Sequence, residues 1–227
     1  MIVAIDGPAG AGKSTVARAV ARRLGAAYLD TGAMYRALTW LALQEAVPPA
    51  DEAALVALAR ANPIEIEPTD DGDRVRVTGH DVTAAIRTPE VASQVSEVSA
   101  HPRVREEVVA AQRALLSQGS WVSDGRDVGT VVCPDADLKV FLTASLQERA
   151  RRRRADLRAR GVEMDEAVVL EDVRRRDHAD STRSASPLRI AQGAVVIDSS
   201  ELDADSVADL IVSLVEDARE RAGASPG

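Results

Sequence analysis

At 227 residues the chain can bury one sizeable core, and a single domain is expected. Its 36 acidic and 28 basic residues leave a net formal charge of −8, which argues against a general polyanion binder and requires any positive site to be local. With two Trp, two Tyr and one Phe there is little to stack against single-stranded nucleic acid, and the lone Cys133 can form no internal disulfide.

The chain opens on the apolar run Ile2-Val3-Ala4-Ile5, a strand, without a basic leader or a long apolar segment, so a cytoplasmic protein with no membrane contact is expected. Next comes Gly7-Pro8-Ala9-Gly10-Ala11-Gly12-Lys13-Ser14-Thr15, then a helix to Leu24 stopped at Gly25. Gly7, Gly12, Lys13 and Ser14 fill the spacing G-x-x-x-x-G-K-[ST], in which backbone N–H groups and a helix N-terminus surround a polyphosphate. Lys13 adds a point charge for the outer phosphates and the Ser14 hydroxyl is a candidate magnesium ligand. A phosphate loop establishes nucleotide binding better than it establishes a reaction.

Tyr28-Leu29 reads as a buried strand, and Asp30-Thr31-Gly32-Ala33-Met34-Tyr35-Arg36 as a polar turn opening a helix from Ala37 to Gln44. In an open parallel sheet this turn faces the crevice that holds the phosphate loop. Pro48-Pro49 breaks the helix, and Asp51 caps another from Glu52 to Ala61. Ile64 to Glu67 and Arg74 to Val77 alternate apolar and charged residues about Asp70-Asp71-Gly72-Asp73, a hairpin and hence an insertion in a βα chain. Helices follow over Val91 to Ser99 and, with Pro102 in its first turn, on to Ser117.

Trp121-Val122-Ser123 and Leu138 to Leu142 read as further strands, with helices from Leu146 to Arg160 and from Asp165 to Asp177. A last strand, Ala194 to Asp198, precedes a helix from Ala204 to Arg221 with Val207, Leu210, Ile211 and Leu214 on one face; Gly223 to Gly227 reads as a frayed tail. The expected fold is α/β: a five-stranded parallel sheet between helices, with a small antiparallel β insertion.

Only two lysines are present, Lys13 and Lys139, and arginine is the side chain suited to bidentate phosphate recognition. Arg36, Arg105, Arg126, Arg176 and Arg183 stand beside strand ends or an interrupted helix. The run Arg149 to Arg154, continued by Arg158 and Arg160, carries more like charges than a helix tolerates without anions nearby, which a lid closing over phosphates would meet. In the turn Asp124-Gly125-Arg126-Asp127, the first aspartate can orient magnesium waters. Asp127 has two readings: a carboxylate that accepts from the N4 amine of cytosine, or the cap of a turn.

The phosphate loop, the 30–36 segment, Arg87-Thr88-Pro89-Glu90-Val91, Pro102-Arg103-Val104-Arg105, Asp124 to Thr130 and the stretch Arg176 to Arg183 together resemble the bacterial cytidylate kinases, in order and over nearly the whole chain. With no long exposed apolar stripe left over, a monomer is expected, and the charge balance and the lack of a long apolar segment speak against nucleic-acid and membrane partners. The resemblance implies a P-loop kinase that transfers a phosphoryl group from ATP to CMP or dCMP with Mg2+. It also implies that Thr31, Ser96, Arg105 and Asp127 contact cytosine. Arg36, Arg126 and Arg183 would hold the CMP phosphate, and Arg176 and Asp180 the ribose and phosphate, with Lys13, Arg126 and Arg183 acting on the transferred group. Gly12-Lys13-Ser14-Thr15 replaces the frequent Gly-Lys-Gly-Thr form, leaving Ser14 or Thr15 to take magnesium. The domain then divides into a core (about 1–61, 100–150 and 185–222), an acceptor-binding insert (62–99) and a lid (151–184). Rival readings are a kinase for uridylate or a metabolite such as shikimate, and a nucleotide switch without an acceptor; the hairpin insert and the Arg105 and Asp127 pairing speak against the first, a second arginine-lined site against the other.

Overall fold

The computed structural model describes residues 1–69, 72–159 and 161–223, and the hairpin residues Asp70 and Asp71, Arg160 and the tail from 224 onward lie outside it. The central sheet is formed by β1 (Ile2–Asp6), β2 (Ala27–Asp30), β6 (Trp121–Gly125), β7 (Leu138–Thr143) and β8 (Val195–Asp198). Their order is β2-β6-β1-β7-β8, and every pairing is parallel.

The alternation along β1 explains why this strand is central. Ala4 faces a core completed by α2 (Thr31–Gln44), α3 (Glu52–Ala61) and α5 (Pro102–Leu116), while Val3 and Ile5 face a second core under α1 (Lys13–Leu24) and α8 (Ala204–Gly223). Both faces are covered, so the strand reads as one apolar run. Each fully buried Val, Leu or Ile contributes about 1.5–3 kcal/mol.

The insertion is a three-stranded antiparallel sheet, β3 (Ile64–Thr69), β4 (Gly72–Val77) and the two-residue β5 (His80–Asp81), followed by α4 (Pro89–Val98). Val75 and Val77 bury their side chains in the first core, while Arg74 and Arg76 alternate to the other face. β5 escaped the sequence reading because two residues carry no periodicity. The helices α6 (Leu146–Ala159) and α7 (Glu166–Thr182) form an antiparallel pair over a small cluster of their own, Ala150, Leu157 and Val169.

Three expectations are corrected. The 30–36 segment is no turn: Asp30 is the N-cap, accepting from the Ala33 N–H at 3.1 Å, and α2 begins at Thr31. α7 runs five residues past Asp177, which keeps Asp180 on its last turn. On α8 the buried face is Val207, Ala208, Ile211 and Val215, and Leu210 is exposed. Among the described residues no helix is long and apolar enough to cross a membrane.

Candidate active site

The carboxyl ends of β1, β2 and β6 open into one cleft of about 740 Å3. Every acceptor-site residue of the sequence reading lines it: Thr31, Arg36, Ser96, Arg105, Arg126, Asp127, Arg176, Asp180 and Arg183. From the phosphate loop, Ala9, Gly10, Gly12, Lys13, Ser14 and Thr15 line it too, whereas Gly7, Pro8 and Ala11 shape the loop from behind.

The loop is braced from outside. Arg149 donates to the Ala9 carbonyl at 3.0 Å and Arg152 to the Ala11 carbonyl at 3.2 Å, while Lys13 Nζ donates to the Pro8 carbonyl at 2.8 Å. This corrects the expectation for the arginine run, whose charges are largely met by the protein's own carboxylates. Arg149 pairs with Asp177, Arg151 and Arg152 with Glu148, Arg154 with Glu166 and Arg158 with Glu163. Among the described residues of that run, only Arg153 lines the cleft. The bracing leaves no room at Gly10, whose φ of +75° suits glycine and where a Cβ would fall 2.6 Å from the Arg149 carbonyl. Gly10→Ala is therefore expected to lower ATP affinity at least about tenfold and to cost about 1–3 kcal/mol of stability, as read by ATP titration and thermal melting.

Beside the loop, the two oxygens of Asp124 are held separately, one by the Tyr28 hydroxyl at 2.6 Å and one by the Ser14 hydroxyl at 3.0 Å. Ser14 rather than the exposed Thr15 thus places its hydroxyl against a carboxylate. Hydroxyl and carboxylate are hard oxygen donors that fit Mg2+. Among the described residues no three His, Cys, Asp or Glu side chains gather around a point.

Lys13 is buried, and burial first, then the Arg126 charge, pushes its pKa down to about 7. A polyphosphate favours the charged ammonium and raises that pKa again. ATP binding near pH 7.5 is therefore expected to take up protons, and ATP affinity to fall as pH rises from 7 to 9. Titration calorimetry in buffers of different ionisation enthalpy would give different heats; equal heats would contradict this.

The far end of the cleft is built from charge pairs. Arg105 and Asp127 form a close ion pair, 4 % and 7 % exposed, and Arg105 lies over the Tyr35 ring at 5.1 Å. Arg183 stands 3.8 Å from Asp127 and also 3.8 Å from Asp180. Arg126 donates to Asp180 at 2.7 Å. Burial and then Arg153 lower the Arg176 pKa to about 10, and burial and then Arg105 lower that of Arg183. Arg105, Arg126, Arg176 and Arg183 thus crowd about two carboxylates, Asp127 and Asp180, and a dianion would offset the surplus. Across the cleft Arg36 is held by Asp30 at 2.6 Å. Burial pushes the Asp30 pKa up, but Arg36 and Arg87 outweigh it and the carboxyl stays below the usual range. Thr31 spends its hydroxyl proton on the Asp124 carbonyl at 2.8 Å, so toward a ligand it can only accept.

The sequence reading missed Tyr28, Tyr35, Asp30 as a hub, Arg87 on the cleft wall and the external braces Arg149 and Arg152. Asp30 carried a signal, a carboxylate at a strand end three residues before a free helical N–H. The braces carried none, because their carbonyl partners lie some 140 positions away.

The cytidylate kinase family model matches residues 3–217. A cytidylate kinase of Geobacillus sp. (strain WCH70) is 50% identical over 95% of this chain and 96% of its own length. One of Bacillus subtilis (strain 168) is 49% identical over 94% and 96%. Among solved structures, an uncharacterized protein from Eubacterium ventriosum ATCC 27560 superposes with a TM-score of 0.52 at 12% identity, covering 95% of this chain and 98% of that one, which bears on the fold alone. With a family match over nearly its whole length and relatives half identical to it, the chain belongs to the cytidylate kinase family.

Proposed function

We propose that the protein transfers the γ-phosphoryl group of ATP to CMP and dCMP, giving ADP and CDP or dCDP. The observation that carries this reading is the buried Arg105 and Asp127 pair, set beside an arginine cluster in the cleft that also holds the phosphate loop.

In this reading the loop amides and Lys13 hold the ATP phosphates. Asp127 accepts from the cytosine N4 amine and Arg105 donates to O2 or N3, with Thr31 and Ser96 on the same rim. Arg36, Arg126 and Arg183 take the CMP phosphate, and Arg176 and Asp180 meet ribose and phosphate. No covalent intermediate is required: a CMP phosphate oxygen attacks the γ-phosphorus in line, its new P–O bond forming as the bond to the ADP oxygen breaks. Arg126, Arg183 and Lys13 stabilise the charge on the transferred group, and much of the rate comes from alignment. Ser14 and Asp124 would hold a magnesium ion, which would supply neutralisation of the ATP phosphates. The residues from about 151 to 184, which include most of the α6–α7 pair and of its small core, serve as the lid, and residues 62–99 as the acceptor-binding insert. The remaining parts of the reading are a monomer working in the cytoplasm.

The test is ADP formation from MgATP with CMP, dCMP, UMP, AMP and shikimate offered separately. Fast turnover with CMP and dCMP and weak turnover with UMP is expected. An acceptor-independent rate would favour the switch, and equal rates with UMP would remove the role given to Asp127.

A further inference from the structure

Asp6 ends β1, one residue before the phosphate loop, and takes no part in the chemistry above. It is 3 % exposed, and both its oxygens are engaged. Oδ1 accepts from the Val128 N–H at 2.8 Å and Oδ2 from the Gly129 N–H at 2.7 Å. These are the first two amides after Asp127, where the chain makes a single π-type turn over Val128–Val132. Within that turn the Val131 and Val132 amides donate to the Asp127 carbonyl at 2.9 and 3.1 Å. The turn is thus fastened at both ends, by its own hydrogen bonds and by a carboxylate from β1. A Cβ at Gly129 would lie 3.3 Å from Asp6 Oδ2, 3.3 Å from Ala191 Cβ and 3.4 Å from Lys139 Cδ, so the turn is seated against the carboxylate with little slack.

Asp6 is a costly residue at this position. Burial pushes its pKa up to about 6 against the pull of the two amides, with the Asp127 charge raising it and Lys13 lowering it. The folded chain therefore holds its proton more tightly than the unfolded one, and stability falls as pH rises from about 4 through 6. A carboxylate is nonetheless the side chain of this size that offers an acceptor oxygen to each of the two amides.

We propose that Asp6 is a positioning residue for phosphoryl transfer, a strut that fixes the Arg126 and Asp127 turn against the start of the phosphate loop so that the acceptor is held in register with ATP. The inference rests on the reading of Arg126 and Asp127 as acceptor contacts. Arg126 and Asp127 immediately precede the two amides that Asp6 holds, and Gly7 immediately follows Asp6. One side chain thereby joins the donor half of the cleft to the acceptor half.

Asp6→Asn keeps the shape but turns one acceptor into a donor facing an amide. With folding verified by circular dichroism, this variant is expected to bind CMP about tenfold more weakly and to lose much of its preference for CMP over UMP. Its ATP affinity, measured separately by titration, should stay within about twofold. Gly129→Ala, which keeps the carboxylate and presses on the same turn, should reproduce the pattern and carries the test if Asp6→Asn does not fold. Equal weakening of CMP and ATP, or wild-type values for both, would overturn the strut. Asp127→Ala in the same assay separates the two claims. An unchanged base preference there removes Asp127 as the base reader and this inference with it. A changed preference there, with Asp6→Asn at wild-type values, removes the strut alone.

Discussion

Asp127→Ala is expected to lose both stability and base preference. The carboxylate is the ion-pair partner of Arg105, both are almost wholly buried, and Arg183 is a second cation 3.8 Å away. Removing it leaves buried guanidinium charge uncompensated, which costs about 3–5 kcal/mol. For a chain of this size that lowers the melting temperature by about 10 °C. The catalytic effect is separable. Loss of a charge-assisted bond to the cytosine amine is worth about 1.5–3 kcal/mol, or roughly 10- to 100-fold in kcat/KM for CMP. UMP, which lacks the amine, should lose much less, so the CMP to UMP ratio falls toward one. Steady-state kinetics at a temperature where the variant remains folded would read this, and an unchanged ratio would contradict it.

Lys13→Met should move stability and activity in opposite directions. Lys13 is 6 % exposed and its pKa is pushed down to about 7, so holding the charged ammonium in the ligand-free fold has a cost. Methionine fills similar space without that cost and gives up one hydrogen bond to the Pro8 carbonyl. Thermal stability is therefore expected to be equal or slightly higher. The charge proposed to follow the transferred phosphoryl group is gone, however, and kcat should fall roughly a thousandfold. A melting temperature sharply lowered together with activity would show that Lys13 acts through the loop's structure instead.

The parts legible in the sequence were those whose cause is local. The phosphate loop has its spacing, α3 its Asp51 cap, and the insertion its alternation between Ile64 and Val77. The sheet was legible because its central strand is apolar on both faces. What stayed hidden depends on partners far along the chain. The arginine run reads as a charge surplus until Asp177, Glu163 and Glu166 are seen folding back on it. Asp6 reads as the last residue of a strand until the amides of Val128 and Gly129, more than 120 positions on, are found against it. Leu210 fits a helical period as well as Ala208 does, and only the packing of α8 on α1 decides which of them is buried. Of the two readings of Asp127, the turn cap is not made by its side chain: the turn begins at its backbone carbonyl, while the side chain, paired with Arg105, lines the cleft.

The central claim is that one end of the cleft reads the base while the arginine cluster holds the acceptor phosphate. A crystal structure with CMP and a non-hydrolysable ATP analogue tests it most directly. The expected result places the cytosine amine within hydrogen-bond distance of Asp127 and the CMP phosphate among Arg36, Arg126 and Arg183, facing the γ-phosphate in the loop. A cytosine ring away from Asp127, or a CMP phosphate outside that arginine cluster, would contradict the account.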